Sequence, residues 1–79
     1  MYYTVAHLDD VQGDISIHFD KVGNQFMVGI YNNDNKEHTC NKFSDMESAL
    51  AVFQRLTEAI ITGCHSYESR KSILLGASS

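Results

Sequence analysis

Two pairs of neighbouring side chains in this sequence join the types that hold zinc or serve as nucleophile and base: His38 and Cys40, two residues apart, and the adjacent Cys64 and His65. Zinc sites group their ligands in close pairs such as CxxC or HxxxH, so that four donors can close a tetrahedron, and neither pair here has that spacing. The expectation is no metal and no cofactor. A cysteine nucleophile would need a histidine to take its proton, a third group to orient that histidine, and donors for the developing negative charge. Cys40 beside His38 supplies at most the first of these. No Gly-rich loop accompanies it, and 79 residues leave no room for a deep cleft, so no catalysis is expected. Asp9, Asp10 and Asp14 lack the alternating spacing and the twelfth-position Glu of a calcium loop.

The carboxylates are informative in another way. Asp9, Asp10, Asp14 and Asp20 stand in the first twenty residues with no basic side chain beyond His7 and His18. Residues 21 to 79 balance six acids against six bases, so the whole formal charge of −4 lies at the beginning of the chain. Clustered Lys and Arg, which direct binding to nucleic acid demands, are missing. Unpaired carboxylates repel one another and add nothing to folding, whereas they steer a basic surface toward them. A positively charged protein partner is the better match.

These residues have to be placed by a small fold. At 43% hydrophobic and 20% charged, the composition is that of a folded globule and not a disordered tail, and residues 1–79 read as one small domain. The N-terminus lacks the basic head and apolar run of a secretory signal, and nothing approaches the roughly 18 apolar residues of a membrane span. Two cysteines are too few for a disulfide framework. A cytoplasmic location is expected.

"DISIHFD" (residues 14–20) alternates strictly, with Ile15, Ile17 and Phe19 on one face and Asp14, Ser16, His18 and Asp20 on the other. "QFMVGIYN" (25–32) alternates again, with Phe26, Val28 and Ile30 opposed to Met27, Gly29 and Tyr31. Pairing Asp20 with Gln25 across a four-residue loop sets Phe19 against Phe26, Ile17 against Val28 and Ile15 against Ile30, and it sets Asp14 against Tyr31 on the outer face. "NNDN" marks the next turn. "KEHTCNKF" returns as an edge strand, with Phe43, Thr39 and Asn41 inward and His38, Cys40 and Lys42 outward. "YYTVAHL" has the composition of a further strand, whose inward set is either Tyr3 and Val5 or Thr4, Ala6 and Leu8.

A helix follows from "FSDMESALAVFQRLTEAIITG". Ser44 and Glu47 have the spacing of a capping box, Gly63 can stop the helix, and Met46, Ala49, Leu50, Phe53, Leu56 and Ile60 form an apolar stripe. Residues 67–75 form a short second helix in preference to a strand, and "GASS" should fray. The fold class expected is α+β: a three- to four-stranded antiparallel meander packed on one face by a long amphipathic helix, with a short C-terminal helix.

The outward sheet face then carries Met27 and Tyr31 among carboxylates, on a side the helix cannot cover. The residues expected to bind a partner are Tyr3, Asp9, Asp10, Asp14, His18, Asp20, Met27 and Tyr31.

With that plan read, the chain resembles the small phage-encoded anti-CRISPR proteins built from a four-stranded antiparallel sheet and helices. The likeness runs from "AHL" (6–8) through "ISIHFDKVGNQFMVGIYNN" to "FSDMESALAVFQRL", about three quarters of the chain by plan. The resemblance implies a non-enzymatic inhibitor that docks on a Cas protein or complex and blocks target DNA. The sheet positions that would make contact are Phe19, which alternation places inward, or its outward neighbours His18 and Asp20, together with Tyr31. The alternatives are a structural homo-oligomer whose Met27/Tyr31 face packs on its own copy, and a small metal-binding protein using Cys40 and the histidines.

Overall fold

The two alternating segments form the centre of a four-stranded antiparallel sheet in the order β1-β2-β3-β4. The computed structural model describes residues 2–76. Its elements are β1 (Tyr2–Asp10), β2 (Ile15–Val22), β3 (Gln25–Asn32), β4 (His38–Phe43), α1 (Met46–Ile61) and α2 (Tyr67–Gly76). The fold is α+β, a meander followed by two helices, and at 16 residues α1 is of modest length.

Pairing between β2 and β3 keeps the expected faces but not the expected partners. Phe19 lies opposite Val28, Ile17 opposite Ile30 and Asp20 opposite Met27, a shift of two residues. The strands extend to Val22 and Gln25, leaving only Gly23 and Asn24 in the loop. Gly23 takes φ +62, the backbone that a Gly-first two-residue hairpin turn requires. Face parity cannot tell one register from another two residues away, because both bury the same side chains. The tight turn decides between them.

β4 shows the expected faces, and its register sets Phe43 against Phe26, Asn41 against Val28 and Thr39 against Ile30. In β1 the register slips between Thr4 and Ala6. Beyond this bulge Ala6, Leu8 and Asp10 lie opposite Phe19, Ile17 and Ile15 on the core side, while Thr4 lies opposite Asp20 on the other. Neither of the two simple alternations describes β1, because the bulge joins one to the other.

The helices cover one face only. α1 packs across β2, β3 and β4, and α2 over β3 and β4. Ile17, Val28, Ile30, Leu56 and Leu74 are wholly buried, with Ile15 and Phe19 nearly so. Each such side chain contributes roughly 1.5–3 kcal/mol relative to exposure. The face that α1 buries is Ala49, Val52, Leu56 and Ala59, so the expected stripe is rotated: Met46 and Leu50 are exposed on its flank. The cap also sits one residue later. Asp45, not Ser44, is the N-cap, and its carboxylate accepts from the Ser48 backbone N–H at 2.9 Å and the Ser48 hydroxyl at 3.0 Å. Those two bonds, the backbone one first, hold the Asp45 carboxyl below its ordinary range. Gly63, at φ +86, follows the helix. The fraying expected of "GASS" falls, from residue 77 onward, outside the described residues.

α2 brings an arginine into the interior. Arg70 lies between Tyr67 and Leu74 on the buried side of α2 and has no exposed surface. Its Nη2 reaches Asp10 Oδ2 at the end of β1 and donates to the Cys64 carbonyl. Asp10, 3% exposed, also meets His65 Nδ1 at 2.8 Å and accepts from the Gly13 N–H at 3.3 Å. A Cβ at Gly13 would stand 2.7 Å from the His65 carbonyl, so only glycine lets the β1–β2 turn approach this closely.

Burial raises the Asp10 pKa, but His65, Arg70 and the Gly13 N–H outweigh it and hold the carboxyl below its usual value. With the folded pKa depressed, this stabilisation is present above the unfolded value near 3.8 and is lost as pH falls through the folded one. Asp10→Asn strands the buried guanidinium and should cost about 3–5 kcal/mol, lowering the urea midpoint at neutral pH, whereas the double change Asp10→Leu/Arg70→Met should recover most of that loss.

Candidate functional site

The face of the sheet opposite the helices carries residues of all four strands, most of them polar. Thr4, His7 and Asp9 come from β1, Ser16, His18 and Asp20 from β2, Met27, Gly29 and Tyr31 from β3, and His38, Cys40 and Lys42 from β4. Register aligns them in rows. His7, His18, Gly29 and Cys40 form one, Ser16, Tyr31 and His38 the next, and Thr4, Asp20, Met27 and Lys42 a third.

At the centre, three side chains join end to end. Asp20 Oδ2 lies 2.6 Å from His18 Nδ1, and His18 Nε2 lies 2.9 Å from His38 Nε2. The chain crosses from β2 to β4 over β3, which is possible because β3 has Gly29 at the crossing. A Cβ there would fall 2.4 Å from His18 Nε2 and 3.1 Å from the Cys40 Cβ. Asp20 is only 1% exposed although no helix covers this face. A carboxylate out of water needs a partner, and His18 supplies it.

The two imidazoles meet head-on. Their centroids are 5.2 Å apart with nitrogens at 2.9 Å, so both ring axes lie nearly along the N···N line. That is hydrogen-bond geometry, whereas two metal ligands would aim their lone pairs at a third point. Among the described residues no group of three or more His, Cys, Asp or Glu side chains is arranged to hold a metal. Burial, and then the neighbouring His18, lower the His38 pKa, while Asp20 works in the opposite direction.

The expected contact residues divide. His18, Met27 and Tyr31 lie on the open face, all half-buried. Asp9 is there too, exposed and 3.5 Å from His7 Nε2. Asp14 is exposed but belongs to the β1–β2 turn at φ 55, so Ser16 takes the expected place opposite Tyr31. Asp20 faces the open side but is buried against His18. Asp10 turns to the core and is neutralised by Arg70. Tyr3, opposite Lys21, falls on the helix side because the bulge reverses parity, and it cannot join Met27 and Tyr31. Phe19 is buried in the core. Of the four carboxylates expected to be unpaired, Asp10 and Asp20 are buried in internal contacts, Asp9 is exposed beside His7, and Asp14 is exposed in the turn. Asp10 and Asp20 both sit where a strand pattern alone reads as solvent or turn.

His38 was missed as a member of the site. The available signal was that His18 and His38 share the outward parity with Gly29 between them.

Away from this face, an open groove of about 390 Å³ runs between the β1–β2 turn and the end of α1, with Asp10, Ile60 and His65 in its walls. Its buried carboxylate is already taken up by Arg70.

Gly29→Ala should push His18 off its position and leave Asp20 without its imidazole. A loss of about 1–3 kcal/mol in a thermal or urea melt is expected, with the His18 and His38 ring resonances no longer coupled in NMR spectra.

No protein-family model matches the chain, and no curated protein or solved structure is significantly similar to it.

Proposed function

We propose that this chain is a non-catalytic protein-binding domain that inhibits or regulates a basic, nucleic-acid-binding effector by laying the open face of its sheet against it. The observation that carries the reading is a sheet with one face under two helices and the other bare, where Met27 and Tyr31 sit half-buried within a ring of polar groups. Amphipathic anchors beside rim charges are the usual composition of a recognition patch. Charge favours a basic partner: Asp10 and Arg70 cancel within the core, so the net −4 is undiminished, and Asp9 and Asp14 remain exposed at one end of the face. Such charges act mainly on the rate of encounter, and salt screens them.

The narrower form of the proposal, drawn from the anti-CRISPR resemblance, makes the partner a Cas effector whose target DNA is excluded. His18 and Tyr31 would then lie within the contact.

A homodimer is favoured by one observation, the exposure of Tyr3 and Val5 on the unpaired edge strand β1. Light scattering that finds only monomer at high concentration removes it.

The test is target-DNA binding by a guide-loaded Cas effector in the presence of the chain, at low and high salt. The chain should reduce DNA binding. Asp9→Asn/Asp14→Asn should weaken inhibition about tenfold at low salt and less at high salt, and Tyr31→Ala should weaken it at both. An effector that is neither bound nor inhibited removes the narrower identity. Capture of any basic partner that is indifferent to salt and to the Asp changes removes the electrostatic reading.

A further inference from the structure

The open face holds a polar chain whose hydrogen count limits its charge. Asp20 has its carboxylate on His18 Nδ1, so His18 donates there in either charge state. Between His18 Nε2 and His38 Nε2, at 2.9 Å, there is room for one hydrogen. With both rings neutral, His38 donates to His18. With one proton added at His38 Nδ1, the shared hydrogen passes to His18, which becomes the imidazolium and donates to Asp20 on one side and to the freed His38 Nε2 on the other. A second added proton puts N–H against N–H head-on, and the contact cannot survive.

We propose that the His18–His38 contact is a one-proton latch, which holds β4 to the centre of the sheet while at most one of the two rings is charged and releases it when both are. His38 is the first residue of β4, an edge strand, so the latch sits where that strand begins. Beside it, the Asn33–Glu37 loop is closed by the Asn32 N–H to the Glu37 carbonyl at 2.7 Å.

Charged and titratable groups surround the pair on all four strands. Asp20 lies 2.6 Å from His18 Nδ1 and acts on His38 by its charge. His7 stands opposite His18 on β1, with Asp9 next to it. Tyr31 lies opposite His38, with ring centroids 6.0 Å apart. Cys40 and Lys42 follow on the same side of β4, and Lys42 adds positive charge. The lowered pKa of His38 agrees with a ring that resists the second proton.

Opening would rearrange the Tyr31/His38 part of the face and turn it more positive. Its consequence, loss of a basic partner in mild acid, rests on the proposed binding function; the latch itself does not.

Hydrogen exchange of the β3–β4 amides tests it without any partner. After correction for intrinsic rates, protection of β4 should fall about tenfold or more between pH 7.5 and 5, while the β1–β2 amides stay protected. His38→Gln, which can hold a hydrogen bond but not a charge, should remove that response, and its melting curve at pH 7.5 reports whether it folds. Ring-nitrogen NMR of the unmodified chain gives a second readout, in which the two Nε2 atoms share one hydrogen for as long as the contact is closed. Equal β4 protection at both pH values, an unchanged acid response in a folded His38→Gln, or simultaneous protonation of the two rings with β4 intact overturns the latch.

Discussion

Arg70 is a charge that this small domain can bury only because Asp10 is there to meet it. The guanidinium has no exposed surface, and its Nε and Nη1 find no acceptor among the described residues. Its compensation comes through Nη2, from one carboxylate and the Cys64 carbonyl. Asp10 ends β1, Arg70 is in the middle of α2, and His65 lies in the link between the helices, so one carboxylate joins the first strand to the last helix and the connection before it. A buried pair of this kind adds little net stability compared with an apolar replacement, yet breaking it is costly. Its effect here is positional, since β1 is an edge strand that α1 and α2 do not principally cover.

The same demand, a buried carboxylate needing a partner, organises the opposite face. Asp20 requires His18, His18 requires the space over β3, and Gly29 provides that space. His38 then takes the remaining nitrogen of His18. A solvent-facing sheet surface needs none of this, because water satisfies isolated polar side chains. The face therefore has a fixed arrangement, in which Met27 and Tyr31 stand beside a polar chain whose members hold one another in place.

How much of this was legible follows from what periodicity encodes. Alternation in residues 15–20 and 25–31 determines which side chains share a face, and it places the core, the open side and the outward His38, Cys40 and Lys42 correctly. It encodes register only modulo two, and the Gly23–Asn24 turn sets the rest. It is also blind to a bulge, which reverses the parity of Tyr3 relative to His7. The helix was readable from its stripe, but the buried face is turned toward Val52 and Ala59, leaving Met46 and Leu50 on the flank. The candidate site was legible only in part. His18, Met27 and Tyr31 stand on the face where alternation placed them, and Asp9 joins them only because β1 runs on to Asp10, whereas the pairing of Asp10 with Arg70 spans 60 positions, a separation that local spacing does not reach.

Those two buried aspartates change the meaning of the acidic N-terminal segment. Asp10 and Asp20 look like members of a repulsive surface cluster when charges are counted along the chain, yet each has been drawn out of water toward a cation or an imidazole. What remains for long-range attraction is Asp9 and Asp14, at one end of the open face and away from Lys42. The electrostatic gradient on that face therefore runs from the β1–β2 turn toward β4. In the proposed binding mode, a basic surface would be oriented with its charge over the turn and its apolar or hydrogen-bonding groups over Met27, Tyr31 and the histidines, so that the residues proposed to attract a partner are separate from those proposed to hold it.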